Sequence, residues 1–527
     1  MSENKTVRIT EVYWTMSDGV KLYTRIVVPA GREKCPIIYI RTPYEPAHNG
    51  CPHAPEEYEN NLFVQRGYAI VLQHCRGTGD SEGICVPYIE RQDGLDTLEW
   101  IRKLPVYQQE IYLYGGSYLS TVHLTYLDTN PSDVKWAVLY KQTDRMYFRN
   151  YRNGCCFAFC SLGWWLRMLK SRYPNQNPEP VPRRPYKDLM KRIVGEDVPE
   201  YTKLLMNDTY NAFWKEDPRT EAMTQLQIPL LLLDGWYDFY LEGMFSMWER
   251  MPDETRKKSA FIIGPWGHDV KTSGQADYHF ENGNIPDDYA VKWFDSIRAK
   301  TEYAYAQRGK IQYYSLGDAC WYQGSSPAET KQRLYFGADR NLMEDSGSSE
   351  DGNAISYYYD PSVLVGEKDP FRYCDLHKAE EPDSREGLIS FFSEETEEDR
   401  RYYGRIRWHM FVQSDCEDTA FRMRVYFMEN GETCNLTETI TSLSHISPAY
   451  RPGERVLIDL ETPPIAFTLK KGSRIRIDIT SECGVYAPHA NVRGHWAEVT
   501  EEKIARNTIF CEDAYVELPY MEPAKGI

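Results

Sequence analysis

Long apolar runs are missing from this chain. The run IPLLLLDGW at 228–236 is among the longest, and it falls far short of the roughly 20 residues a membrane helix needs. Basic charge is scarce: 61 Lys and Arg stand against 78 Asp and Glu, a net −17. Nucleic acid and anionic membrane surfaces need a basic face, so both are excluded as expected partners. The opening residues MSENKTVRITEVYW carry no basic stretch followed by an apolar one. No secretory leader is expected, and a cytoplasmic protein is. Cysteine is dilute, and an odd count of 13 cannot all pair, which argues for reduced thiols. Histidine is scarce too, with 11 copies, and this narrows the choice of a general base. There is no internal repeat and no low-complexity tract.

What the chain does have is size and aromatic mass. Its 527 residues exceed one compact core, and domains of about 100–200 residues predict roughly two to four. Apolar residues make up 42% and 40 residues are tyrosine, ample for a packed core and for semi-polar pockets. Residues 7–30 read as a hairpin around Ser17-Asp18-Gly19. Then come five short apolar runs that each end in polar residues: CPIIYIRTPY, YAIVLQHCRG, EIYLYGGSYLS, IPLLLLDGWYD and SAFIIGPWGHD. Continuous rather than alternating apolar runs suit strands covered on both faces. Helical stretches such as DGLDTLEWIRKL and LEGMFSMWERM lie between them, so a doubly wound α/β sheet is expected. Ligands in such sheets bind at the strand C-termini.

Two regions break this alternation. Residues 144–224 carry helical periodicity in LGWWLRMLK and LLMNDTYNAFW around a proline-rich loop, and read as a helical cap inserted between core segments 1–143 and 225–320. From 321 to 527 short alternating runs take over, including RIRWHMFVQS, AFRMRVYFME, RVLIDLE and SRIRIDITS, which predict an antiparallel β-sandwich.

The chemistry-bearing residues gather at the strand ends. In YLYGGSYLS, a strand runs through Gly115 and Gly116 into Ser117 and then a helix-like stretch. A nucleophile elbow needs such small neighbours at a sharp turn. The usual glycine two residues after the serine is replaced by Leu119, and the small residue is Ser120. Asp238 and His268 close two later strand runs. A serine hydroxyl is a poor nucleophile without an oriented base, and α/β-hydrolases supply these groups in the order Ser, acid, His. Asp234 is a rival acid and His279 a rival base, while Asp269 reads as a turn residue. His48-x-x-Cys51-x-His53 has metal-like donors but no second cluster to complete a site. No metal or cofactor is therefore expected. Cys155, Cys156 and Cys160 read as apolar packing, and Arg76–Gly83 reads as a structural turn.

Together these motifs resemble a known family. Residues 14–30, Arg41-Thr42-Pro43-Tyr44, Arg76–Gly83, Gly115–Tyr118, Gly235–Asp238, Gly264–His268 and Tyr486–Asn491 are similar to those of the cocaine esterase, X-Pro dipeptidyl-peptidase and α-amino-acid ester hydrolase family. The resemblance implies an α/β-hydrolase core, an inserted helical cap and a C-terminal jelly roll. It also implies an oxyanion hole made by the Tyr44 phenol and the Tyr118 backbone N–H, donors that a negatively charged tetrahedral intermediate requires.

The expected reaction is hydrolysis of a small acyl ester or amide through an acyl-enzyme on Ser117. A homodimer is compatible with the sequence. In this family the pocket lies between core, cap and jelly roll. Trp164 and Trp165 are candidates to line it, with cap core as the alternative. Lys141, Arg145, Arg149 and Arg152 recur at near-helical spacing. They read either as a solvated face or, through Arg145 and Arg149, as a bidentate site for a substrate carboxylate. Relatives that favour α-amino substrates carry acidic residues here, whereas this chain carries arginine and asparagine. An Xaa-Pro or α-aminoacyl peptidase is the competing enzyme reading. A non-catalytic, carbohydrate-binding homologue is the third.

Overall fold

The computed structural model describes residues 6–44, 57, 60–158, 162–170, 172–177, 183–268, 280–324, 330–345, 353–363, 379–382, 384–481 and 485–521. The hairpin forms as the Asp18-Gly19 signal predicts: β1 (Val7–Thr15) pairs antiparallel with β2 (Lys21–Pro29), Val7 opposite Pro29 and Thr15 opposite Lys21. The next strands are β3 (Cys35–Thr42), β4 (Ala69–His74), β5 (Tyr107–Gly116) and β6 (Val134–Tyr140). A two-residue ribbon follows, β7 (Tyr151–Arg152) with β8 (Cys155–Cys156). The later core strands are β9 (Leu230–Gly235), β10 (Ala260–Gly264), β11 (Ile311–Ser315) and β12 (Cys320–Gly324).

The main sheet runs β1-β2-β4-β3-β5-β6-β9-β10-β11-β12. Neighbours from β4 through β11 are parallel, and β12 turns back antiparallel on β11. The continuous apolar runs are explained by burial: every residue of β3, β4, β9 and β10 is buried. Side chains alternate between faces along a strand. On β9, Leu230 and Leu232 enter one apolar cluster and Leu231 and Leu233 the other. The first cluster continues into the C-terminal strands through Trp408, Phe427 and Ile477. The second continues into the inserted segment through Trp164, Trp165 and Tyr201. β6 and β11 were not among the sequence-derived runs, because VKWAVLY and IQYYS mix polar with apolar residues.

The insertion holds short helices: Met146–Asn150, Trp164–Met168, Leu189–Val194, Pro199–Leu205, Ala212–Lys215 and Pro218–Gln225. The helical run expected over LLMNDTYNAFW is broken. Asn207 donates its side chain to the Lys203 carbonyl at 2.6 Å. Asn211 caps the next helix by accepting from the Phe213 N–H at 3.1 Å. Asparagine side chains compete with the backbone ladder in this way and end helices.

The C-terminal region is a β-sandwich. Its ten-stranded sheet includes Arg407–Ser414, Ala420–Glu429, Val456–Glu461, Arg474–Thr480 and the long strand Ala505–Leu518. The loop at Tyr486 ties this region to the insertion. Tyr486 bridges to Phe157, their rings 4.4 Å apart, and the Ala487 N–H donates to the Cys156 carbonyl at 2.9 Å. Arg184 reaches across to Glu502 at 2.6 Å. Among the described residues, no helix is long and apolar enough to cross a membrane.

Leu232 is fully buried at the centre of the main sheet. Leu232→Ala is expected to cost about 2–5 kcal/mol of stability, the transfer term plus the cavity. Differential scanning calorimetry checks it through a lowered unfolding midpoint.

Candidate active site

β5 delivers Ser117 to the site through a strained turn. Its φ of 56° and ψ of −125° lie where non-glycine residues are uncommon. The strand is held there by its neighbours: the Ser117 N–H donates to the Tyr140 carbonyl of β6 at 2.8 Å. The departure from the usual elbow at Leu119 has a local explanation. A Cβ on Gly115 would come 2.6 Å from the Leu119 carbonyl carbon, so the close approach falls on Gly115 instead. Ser120 then ties the turn together. Its hydroxyl donates to the Gly115 carbonyl and accepts from the Tyr140 N–H at 3.1 Å.

β9 and β10 bring in the other two groups. His268 Nδ1 lies 2.6 Å from Asp238 Oδ2, and its Nε2 lies 3.0 Å from Ser117 Oγ. An ionised carboxylate only accepts, so Nδ1 carries the proton and Nε2 is left to accept from the serine. The second carboxylate oxygen of Asp238 takes the Tyr240 N–H at 2.8 Å, so both oxygens are fixed. Phe239 stacks on the imidazole with ring centres 5.0 Å apart. The histidine side chain keeps 23% exposure while the aspartate has none.

Two carboxyls share this buried corner, and their environments separate them. Burial pushes the Asp234 carboxyl well up, and the charge of Asp238 adds to it. Burial also acts to raise Asp238, but the charge and hydrogen bond of His268 outweigh it and hold the group below its ordinary value. The pair is thus driven apart, Asp234 toward its neutral form and Asp238 toward its ionised form. Asp234, the rival acid, bonds its neighbour's N–H at Gly235 at 2.8 Å, and it is Asp238 that meets the histidine.

The Tyr44 phenol is buried beside the serine. Burial raises its pKa, against which the hydrogen bonds of Trp164 and Ser117 and the charges of Arg167 and Arg149 act. Trp164 Nε1 donates to the Tyr44 oxygen at 3.3 Å. Tyr118 opens the helix Tyr118–Leu124, where a first-turn N–H has no partner within the helix. Its side chain is anchored by Glu90, which accepts from its hydroxyl, and by the Tyr88 N–H at 2.9 Å.

The two tryptophans separate. Trp164 stacks on Tyr88 at 5.3 Å and faces Tyr44 and Tyr118, whereas Trp165 turns into the cap against Tyr201 at 5.8 Å. The basic stripe does not exist as a helical face, because the helix spans only Met146–Asn150. Lys141 is buried, with φ 53°, and its charge acts on Asp234 and Asp238. Arg145 lies over Phe148 and Tyr210, and Arg152 over Phe157. Arg149 alone of the four joins the site's aromatic wall, 4.4 Å from the Trp164 ring centre.

Arg76 forms a two-pronged pair with Asp93 at 2.6 and 3.1 Å, and a Cβ on Gly77 would lie 2.1 Å from the Cys85 nitrogen. That turn clamps the helix Arg91–Arg102. Cys155 and Cys156 are buried in the ribbon. His48, Cys51, His53, Cys160, Asp269 and His279 lie outside the described residues.

Sequence reading missed Tyr88, Glu90, Arg167, Phe239 and Tyr240. Only Tyr240 had a signal, since an aspartate two residues before a backbone N–H is an Asx-turn pattern.

The chain is similar to known proteins. Residues 18–269 match the family model described as X-Pro dipeptidyl-peptidase (S15 family), and residues 305–517 match that of the X-Pro dipeptidyl-peptidase C-terminal non-catalytic domain. The chain belongs to this family. It is a serine-type hydrolase acting on ester or amide bonds. Cocaine esterase from Rhodococcus sp. (strain MB1 Bresler) is 21% identical, covering 88% of this chain and 89% of its own. A solved aminopeptidase from a marine sediment archaeon, Thaumarchaeota archaeon, superposes with a TM-score of 0.82 at 18% identity, over 99% of this chain and 97% of that one. An α-amino acid ester hydrolase superposes with a TM-score of 0.80 at 20% identity, over 98% and 97%. These likenesses establish an α/β-hydrolase core with a C-terminal β-sandwich.

The elbow is intolerant of side chains. A Cβ on Gly116 would lie 2.0 Å from the Tyr140 ring. Gly116→Ala is expected to displace Ser117 and cost about 10²-fold in ester hydrolysis. Steady-state rates, with circular dichroism to verify folding, check it.

Proposed function

We propose that the enzyme cleaves a small acyl ester or amide through a covalent acyl-enzyme on Ser117, with His268 as general base and Asp238 as the group that orients it. The observation that carries this reading is the position of His268, within hydrogen-bond reach of both oxygens. As Ser117 Oγ attacks the carbonyl carbon, its proton passes to His268 Nε2. The imidazolium that forms is stabilised by ionised Asp238. Negative charge on the former carbonyl oxygen is met by the Tyr44 phenol and the Tyr118 N–H. Collapse expels the leaving group, which takes the proton from Nε2. Water then attacks the acyl-enzyme, giving its proton to Nε2, and collapse frees the acid and returns that proton to Ser117.

A peptidase acting on free α-amines, as the names of some relatives describe, needs a carboxylate to hold the ammonium. Glu90 is the buried carboxyl beside Tyr118, but burial raises its pKa and Tyr118 takes its oxygen. This favours the ester or amide reading. A cytoplasmic setting is part of the same proposal, since the buried, unpaired thiols of Cys35, Cys75 and Cys511 suit a reducing compartment.

Fluorophosphonate labelling tests the reading. Wild type is expected to be labelled and Ser117→Ala to be refractory, whereas labelling that persists in Ser117→Ala would overturn it. Tyr44→Phe is expected to lower kcat for a 4-nitrophenyl ester by about 10²–10³-fold, the usual loss for one oxyanion donor.

A further inference from the structure

Tyr44 stands just past the end of β3, where its N–H donates to Thr42 Oγ1 at 3.1 Å. Strand and turn fix its backbone, but a phenol that is to act as a donor also needs its hydrogen aimed. That hydrogen lies near the ring plane, on one side of the oxygen or the other. The inserted segment decides which. Trp164 Nε1 lies 3.3 Å from the Tyr44 oxygen. An indole N–H can donate and never accept, whereas a phenol does both. Tyr44 must therefore accept from Trp164 and send its own hydrogen elsewhere. Ser117 is a second hydrogen-bonding neighbour of the phenol, and its oxygen can accept. Tyr44 is buried, and a buried hydroxyl seldom leaves its hydrogen unpaired.

The indole is itself held. Its ring packs on Tyr88 at 5.3 Å and on Tyr118 at 5.2 Å, with the Arg149 guanidinium 4.4 Å from its centre. These contacts restrain the ring from swinging its N–H away from Tyr44. Arg167 stands three residues further along the helix Trp164–Met168, hence on the same side of it, and its guanidinium lies 5.0 Å from the Tyr44 ring centre. Two side chains of one helix thus meet one phenol. The hydrogen bond is slightly longer than the roughly 2.7–3.2 Å of most N–H···O bonds. Its value lies in direction more than in strength, and a hydroxyl that accepts also becomes a better donor.

We propose that Trp164 is a positioning residue for the oxyanion hole: its N–H pins the Tyr44 oxygen so that the phenolic hydrogen faces Ser117, where charge develops on the carbonyl oxygen of the substrate. This rests on the acyl-enzyme reading above. Trp164 enters no step of the reaction and acts through Tyr44. A donor aimed before the substrate arrives needs no reorganisation when the charge forms. The inserted segment thereby completes the catalytic machinery as well as covering it.

The test is a double-mutant cycle on kcat for 4-nitrophenyl acetate and 4-nitrophenyl hexanoate. Trp164→Phe keeps an aromatic ring and removes the N–H. It is expected to lower kcat by about three- to tenfold, the worth of one neutral hydrogen bond, with KM little changed and the same factor for both esters. In a Tyr44→Phe background the same substitution is expected to leave kcat where it is, because no phenolic hydrogen remains to be aimed. Substituting Trp164 with benzothienylalanine keeps the bicyclic shape and exchanges the N–H for sulfur. It is expected to reproduce the loss, and it carries the test should Trp164→Phe not fold. No loss in the benzothienyl variant, a loss equal in both Tyr44 backgrounds, or a loss that grows with acyl length overturns the proposal. So does an unchanged kcat in Tyr44→Phe. Each of these leaves the serine-hydrolase reading standing, provided that Ser117 is labelled by the fluorophosphonate. Failure of wild type to hydrolyse either ester, together with no labelling of Ser117, overturns both.

Discussion

His268 sits between two oxygens that arrive from different strands, and most of the core's geometry can be understood as holding that bridge. Ser117 leaves β5, Asp238 follows β9 and His268 follows β10, with hydrogen bonds of 2.6 and 3.0 Å joining them. Parallel strands make this arrangement available, because every strand releases its chain at the same edge of the sheet. The register brings Gly264 of β10 opposite Gly235 of β9. A side chain at either glycine would strike Trp266. The two loops can approach closely only because neither strand end carries a Cβ.

Charge at this bridge is set by burial as much as by contact. Asp234 and Asp238 lie four residues apart in a corner that excludes water. Two ionised carboxylates there would repel strongly. The histidine selects which one stays charged, and the charge of buried Lys141 favours the ionised form of both. Both oxygens of Asp238 are committed to fixed donors, so the imidazole is held in one orientation and the basic nitrogen faces the serine. The insertion then closes over this corner with aromatic rings and guanidinium groups, and the sandwich fastens the insertion through Tyr486, Arg184 and Glu502.

Much of the core was legible because its signals are local. Fully covered strands need continuous apolar runs, and CPIIYIRT, AIVLQH, LLLL and AFIIG supply them. Asp18-Gly19 specifies its own turn. Asp238 and His268 follow LLLL and AFIIG, and Ser117 stands where the run EIYLYGG stops. The cap was much less legible. Its helices are four to eight residues long, too short for periodicity to resolve, and the asparagines Asn207 and Asn211 break the run LLMNDTYNAFW. The spacing of Lys141, Arg145, Arg149 and Arg152 mimics a helical stripe, but the chain leaves the helix at Tyr151 and each cation finds a different neighbour. Trp164 and Trp165 are adjacent and chemically identical. Only tertiary packing decides that one faces Tyr44 and the other Tyr201.

The account stands or falls on a covalent bond to one oxygen. A slowly deacylated 4-nitrophenyl ester, mixed with enzyme and quenched in acid during turnover, would trap the intermediate for peptide mass spectrometry. The account predicts a single acyl increment on the peptide holding Ser117, formed in a burst of nitrophenol stoichiometric with enzyme. Nitrophenol release with no burst and no adduct, or an adduct on another residue, would contradict it.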